Sequence, residues 1–354
     1  MSDISSSGSL SDRSDSGHVD SSAQGRPKGS HGRKRRGLRI AIASLTSLVV
    51  VAAAIVVGGY LFLSHLAGNV QRIPVKFTKF DAASQPAGYS DYGGAMTVLI
   101  TGEDLGPTGD KHITRPTPSG LIMLLHVNAS GYNGGVVSIP PQSIVPVPGH
   151  GRMQIEQALK IGGPSLLVQT VQDLTHVQIN HYARIDFAHV DRVVNAMSGV
   201  DVTLPDVTDS FGHVFHLGIN DLNGLTALEY AREPNLSEEQ RVLRQQSLMR
   251  AVVRKLVHRH LLSNPLTDYR VLHALIGMLT VDSNFTTREL EHLAMEIRGL
   301  TGSADYVTAP VHSVNGQVRL DTRITRQLWA AIRQDAIAAF AKKYPFTVTP
   351  SAPR

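Results

Sequence analysis

Residues 121–142 read LIMLLHVNASGYNGGVVSIPPQ. Two apolar runs, Leu121–Val127 and Gly135–Ile139, flank a stretch of Asn, Ser and Gly that suits a chain reversal. Apolar, β-rich runs around such turn residues predict a β-hairpin. The second run meets Pro140 and Pro141, which have no N–H to extend a ladder, so the strand ends there. Gln142 and two further prolines then lead to the turn Gly149-His150-Gly151.

Outward from this hairpin, Met96–Thr101, Tyr182–Asp186 and Val200–Leu204 predict further strands, the first ending at Gly102-Glu103-Asp104. Helical spacing runs over Ile155–Leu174, interrupted at Gly162-Gly163-Pro164, and over Phe187–Met197. Strands alternate irregularly with helices and include a hairpin. The pattern predicts an α/β fold with a mixed β-sheet sandwiched between helices.

The clearest helix starts at Ser237-Glu238-Glu239-Gln240, which has the form of a capping box, and continues to about Leu261. Val242, Met249, Val253, Leu256 and Val257 share one side; Arg241, Arg244, Gln245 and Leu248 share an adjacent one. On pattern alone the second side reads first as a solvated basic face, with an anion clamp as the alternative. In the clamp, guanidinium forks match phosphate oxygens and the helix start adds positive potential. Periodicity does not choose between them.

The chain has 354 residues, 42% hydrophobic and 18% charged, with a net charge of +5. Residues 1–39 carry eight Lys/Arg against four Asp, and hence +4 of that total. This tail, rich in Ser, Gly, Asp and Arg, is expected to be disordered and cytoplasmic. Residues 40–63, IAIASLTSLVVVAAAIVVGGYLFL, contain no charge. As a helix they would rise about 36 Å, enough to cross a hydrocarbon core of about 30 Å. Basic RKRRGLR precedes the run and only His65 and Arg72 follow closely. The expectation is a single-pass signal anchor in the cell membrane, with the N-terminus cytoplasmic and the body extracytoplasmic. That placement and the nearly neutral body argue against nucleic acid as a partner, despite a pI near 9.4. There is no cysteine, which removes disulfides and Cys-based metal sites. The pairs His213/His216 and His258/His260 lack a third ligand nearby in sequence and read as ordinary histidines.

From Thr97 to Leu256 the sequence resembles the LytR-CpsA-Psr family of membrane-anchored cell-envelope proteins. The matching pieces, in the family's order, are TVLITGED, LIMLLHV, VVSIP, PGHG, GGP at 162–164, VQDLTHVQINHYARIDF, VVNAMSGVDVTLP, HLGINDLNGLTALEYAR and RxxRQQ at 241–246. VTAPVHSVNGQVRLD at 307–321 is similar to an appendage of actinobacterial members. The resemblance divides the chain into a tail (1–39), an anchor (40–63), a linker and accessory segment (64–95), a family-like domain (96–262) and a C-terminal α/β extension packed on it (263–354).

The resemblance implies a hydrophobic pocket for a polyprenyl chain within the α/β sandwich. It also implies transfer of a glycopolymer from a polyprenyl-pyrophosphate carrier to peptidoglycan or a related envelope acceptor. Such phosphoryl transfer works by positioning and charge neutralisation, which calls for cations and a metal around two phosphates. Position by position, Asp104 falls on a Mg²⁺-linked aspartate, and Arg232, Arg241, Arg244 and Gln245 fall on pyrophosphate-binding positions. Other positions depart from the family. Pro118-Ser119-Gly120-Leu121 replaces Arg-x-Asp-Thr, Pro140-Pro141-Gln142 replaces the charged end of SIPRD, Arg232-Glu233-Pro234 replaces Arg-x-Arg, and Gln154 and Glu156 stand for Lys and Asn. Arg115 and Arg152 are the nearest candidates to compensate at the pyrophosphate, and Glu103 at the metal. Two functions follow: a divergent phosphotransferase, or a catalytically impaired relative that binds polyprenyl (pyro)phosphate lipid or scaffolds active members. A transcription regulator conflicts with the expected location.

Overall fold

A computed structural model describes residues 68–78, 94–104, 117–129, 133–204, 208–210, 213–233, 236, 238–258, 269–300 and 305–348. The expected tail and membrane anchor, Ser237 of the capping box, His260 and Arg115 lie outside these residues. Among the described residues no helix is long and apolar enough to cross a membrane.

Strands β1 (Gln71–Ile73) and β2 (Met96–Asp104) precede the hairpin β3 (Thr117–Val127) and β4 (Gly134–Ser138). A ribbon, β5 (Ile144–Val147) and β6 (Gly151–Gln154), leads into α1 (Ile155–Thr175) and β7 (His181–Asp186). Next come α2 (Val190–Ala196), β8 (Val200–Leu204), β9 (Thr208–Ser210), β10 (His213–Phe215), β11 (Gly218–Leu222), α3 (Gly224–Arg232) and α4 (Glu238–His258). The chain continues through α5 (Tyr269–Met278), β12 (Leu279–Asp282), α6 (Thr287–Leu300) and β13 (Asp305–Thr308). It closes with β14 (Val311–Val314), β15 (Gln317–Leu320), α7 (Thr322–Arg333) and α8 (Ile337–Lys343).

The central sheet has the order β1-β12-β7-β2-β3-β4-β13. The expected hairpin pairs Val127 with Gly134 and Met123 with Ser138, antiparallel. β2 runs antiparallel to β3 but parallel to β7, so the sheet is mixed. Strands from both sides of residue 262 share it, because β12 and β13 pair with β7 and β4. β2 and β3 extend further than their apolar runs, with Glu103 opposite Pro118 and Asp104 opposite Thr117. The ladder shifts register between Thr101 and Glu103, a bulge that lets pairing continue past Gly102.

Alternation along the strands assigns the two faces. Leu99, Ile122, Leu124, Val137 and Tyr182 pack with α1, α7 and α8. Leu121, Met123 and Ile185 pack with α2, α3, α4 and α5. Both faces are covered, so a slip of one residue would exchange the two sets and is disfavoured. This is the expected mixed sheet between helical layers.

The interruption at Gly162-Gly163-Pro164 falls inside α1 as a kink. Gly163 has φ 65° and ψ −164°, a backbone conformation open essentially to glycine alone. A Cβ at Gly163 would meet nothing within 4 Å. Gly163→Ala therefore isolates the backbone cost, expected at about 1–3 kcal/mol by the urea midpoint. An unchanged midpoint would show that the kink relaxes freely.

The α7–α8 turn is fastened to the sheet through a buried histidine. His126 shares its Nδ1 with Thr97 Oγ1 at 2.9 Å and its Nε2 with Asp335 Oδ1 at 2.8 Å. Asp335 Oδ2 accepts the Ala129 N–H at 3.0 Å. Burial raises the Asp335 carboxyl, but hydrogen bonds from His126 and Ala129 and the charge of His126 outweigh it, and the group lies below its ordinary value. A depressed folded pKa contributes stability above the unfolded value, near 3.9, and loses it as pH falls through the folded pKa. Asp335→Asn should therefore flatten the acid limb of stability below about pH 4. Urea midpoints from pH 7 to 2.5 test this, and a parallel acid limb in both proteins would refute it.

Candidate functional site

Two of the sequence-identified groups, Arg244 and Gln245, are buried on α4 where it packs on α3, and a third, Arg232, lies in the last turn of α3. Asn223 caps α3, its Oδ1 accepting the Thr226 N–H at 3.0 Å. Gly224 lets that helix start close to α2, since a Cβ there would lie 2.4 Å from the Asp191 carbonyl oxygen. α3 then carries Tyr230 in the core and Arg232 in its last turn, with buried Glu233 just beyond. From α4, Arg244, Gln245, Ser247, Leu248, Ala251 and Val252 are buried.

The face of α4 that holds Arg244, Gln245 and Leu248 is thus not a solvated basic face. Arg244 is 5% exposed, with Nη1 donating to the Tyr230 carbonyl at 3.4 Å and its guanidinium 4.9 Å from the Tyr230 ring centre. The sequence pattern misses this because an arginine's stem and flat head pack well on an aromatic that only tertiary structure supplies. Burial lowers the Arg244 pKa, opposed by Tyr230 and Glu233, yet a guanidinium remains charged in a protein. Burial also pushes the Tyr230 phenol up to about 12, opposed by Ser247 and Arg244. Gln245 Oε1 is buried with no hydrogen-bond partner among the described residues, a state that costs about 1–3 kcal/mol. The side chain of Arg241 lies outside the described structure.

A second polar group marks the carboxyl ends of β2 and β7, parallel neighbours whose last pair is Glu103 and Asp186. Open α/β sheets place ligands at such ends. Asp104 closes β2, and its side chain also lies outside the described structure. Glu103 Oε2 is 3.3 Å from Arg184 Nη1, and Arg184 Nη2 donates to Thr280 Oγ1 at 3.4 Å. Burial raises the Glu103 carboxyl, Arg184 lowers it and Asp186 adds to the rise. Beside this pair the Tyr182 and Thr101 hydroxyls are 2.6 Å apart. By strand alternation Glu103, Arg184 and Tyr182 share the face toward α1, opposite the α3–α4 layer. Arg184 did not emerge from the sequence, since its link to Glu103 depends on a parallel register set by long-range pairing.

Arg152 is exposed on β6, with Nη2 donating to the Ile144 carbonyl at 3.3 Å. Its ribbon packs with the α1 layer through Val145 and Val147. The structure therefore buries Arg244 and Gln245 at the α3–α4 junction, with Arg232 in the last turn of α3, while Arg152 and Glu103 belong to the other layer. The double-proline loop secures the start of α1, because the Pro141 and Ser143 carbonyls accept the Glu156 and Ile155 N–H groups that open this helix. Among the described residues no three His, Asp or Glu are placed to hold a metal ion. His213 and His216 are exposed.

The LytR_cpsA_psr family model matches residues 67–329. The probable cell wall biosynthesis protein LcpB of Corynebacterium glutamicum is 31% identical over 201 residues, 56% of this chain and 48% of LcpB. The polyisoprenyl-teichoic acid–peptidoglycan teichoic acid transferase TagU of Enterococcus faecalis is 28% identical over 212 residues, 58% of this chain and 67% of TagU. The match thus spans about half of the first relative and two thirds of the second. Among solved structures, the LytR-Csp2A-Psr enzyme from Actinomyces oris aligns with TM-score 0.57 at 19% identity, covering 74% of this chain and 95% of that one. Bacillus subtilis TagT aligns with TM-score 0.54 at 20% identity, covering 75% and 99%. At these identities the structural likeness is one of fold.

Proposed function

The chain belongs to the LytR_cpsA_psr family, and from that membership we propose that it transfers glycopolymers from a polyprenyl-pyrophosphate carrier to peptidoglycan or a related envelope acceptor. An acceptor hydroxyl attacks the phosphorus that bears the glycopolymer. A new O–P bond forms, the bridging P–O bond of the pyrophosphate breaks, and the hydroxyl proton passes to the departing polyprenyl phosphate. The α3–α4 junction supports this reading through charged Arg244, with Arg232 in the last turn of α3.

In this proposal Arg232, Arg241 and Arg244 neutralise the diphosphate, with Gln245 and Arg115 as further ligands. Arg152 is set aside because it sits on the opposite layer. Asp104 suits Mg²⁺, an ion usually held by one or two carboxylates plus substrate phosphates, and the metal would offset charge on those oxygens. Glu103 fits poorly as a second ligand, being engaged by Arg184. The apolar pocket for the polyprenyl chain is what the family resemblance implies. Residues 40–63 would anchor the body outside the cell membrane; a C-terminal reporter active only in the cytoplasm would contradict this.

The decisive experiment gives the full chain, in vesicles, a labelled polyprenyl-pyrophosphate saccharide, Mg²⁺ and peptidoglycan. Transfer of label to peptidoglycan is expected. Saturable binding without turnover would instead assign a lipid-binding role. Neither binding nor transfer, where a relative succeeds, would overturn both readings.

A further inference from the structure

Beyond the buried junction, the segment between β10 and β11 leaves large aliphatic side chains in solvent. Leu217 is 68% exposed, Ile219 76% and Val214 45%. These lie within six residues of one another on a tip that is built rather than loose. Asn220 Oδ1 accepts the His216 N–H at 2.8 Å, and Asn220 Nδ2 donates to the carbonyls of His216 at 2.7 Å and Gly218 at 3.1 Å. Gly218, at φ 93°, makes the turn that sends Leu217 and Ile219 outward.

A tip that ties up the His216 and Gly218 carbonyls and the His216 N–H while presenting aliphatic side chains suits a bilayer interface. There, unmet N–H and C=O groups are costly and apolar side chains gain by leaving water. No Lys or Arg lies within residues 205–231, so recognition of nucleic acid or of an acidic protein surface is not what this segment offers. Its root is buried beside the proposed site. Phe215 is fully buried and packs edge-on to Tyr230 at 6.0 Å, the same ring that Arg244 covers. Chain length supplies the occupant. Only residues 64–67 separate the uncharged run 40–63 from Gly68, and five extended steps span at most about 18 Å.

We propose that the 213–220 tip rests in the lipid bilayer surface through Val214, Leu217 and Ile219, holding the α3–α4 junction at the depth of lipid headgroups. The inference rests on the reading of residues 40–63 as a membrane anchor. The substrate's diphosphate would then meet the arginines without leaving the interface.

The absence of cysteine makes single-cysteine labelling unambiguous. Full-length Leu217→Cys and Ile219→Cys, each carrying a fluorophore, are reconstituted in phosphatidylcholine vesicles with and without brominated acyl chains. Emission at both positions should fall at least twofold with the brominated lipid, while Lys342→Cys on α8, in the opposite layer, should not change. Unquenched labels at 217 and 219 with a quenched label at Ala53→Cys would overturn the tip and leave the anchor standing. No quenching at position 53 would overturn the anchor and the tip with it. Labels shielded from aqueous iodide but untouched by brominated lipid would assign the tip to a protein partner, against the proposal.

Discussion

Arg244→Ala should lower the free energy of unfolding by about 1.5–3 kcal/mol, the range for losing a hydrogen bond from a charged group. Arg244 is buried, covers Tyr230 and donates to its carbonyl, so its loss removes packing and a charged hydrogen bond together. It also leaves Glu233, fully buried and electrostatically favourable to Arg244, without that cation. Urea unfolding of Arg244→Ala, Glu233→Gln and the double variant separates these effects. The double variant should recover part of the loss, because a neutral amide at position 233 no longer depends on the Arg244 charge. A change under about 1 kcal/mol would mean that Arg244 carries little structural weight. Its burial would then have to be explained by ligand binding alone.

Asp104→Ala should slow transfer by about 10²–10³-fold, the usual consequence of losing one preorganised group that manages transition-state charge. The measurement is the initial rate at saturating lipid-linked substrate, repeated over a Mg²⁺ series. If the carboxylate helps to hold the metal, the residual activity should also need more Mg²⁺. An unchanged rate would remove Asp104 from the mechanism. The chain's own turnover should be well below that of a relative with the full set of charged residues. Pro118–Leu121, Pro140-Pro141-Gln142 and Pro234 stand where the family resemblance places arginines and carboxylates.

Much of the fold was legible because its signals are local. The hairpin of β3 and β4 followed from two apolar runs around a polar turn, and the α1 kink from Gly162-Gly163-Pro164. The ribbon of β5 and β6 was hidden by its prolines, since Pro146 sits opposite Arg152 within a paired segment that reads as loop. The β14–β15 hairpin carried a usable sign: Asn315-Gly316 adopts positive φ at both residues, as that dipeptide favours. At the candidate site, the family resemblance singled out Arg232, Arg244 and Gln245, which residue types and spacing alone left open. Their surroundings could not be read, because the aromatic beneath Arg244 comes from another helix.

By itself the sequence determined the alternation of strands and helices, the two-sided burial of the sheet and the family. Each depends on patterns that repeat within a few residues or keep a fixed order along the chain. Tertiary structure alone decided that Arg244 is a buried stack on Tyr230, that Glu103 is held by Arg184, and that Arg152 lies on the far layer. Those outcomes depend on which face of the sheet each element packs against, a choice made by long-range pairing and core volume, which local spacing does not encode.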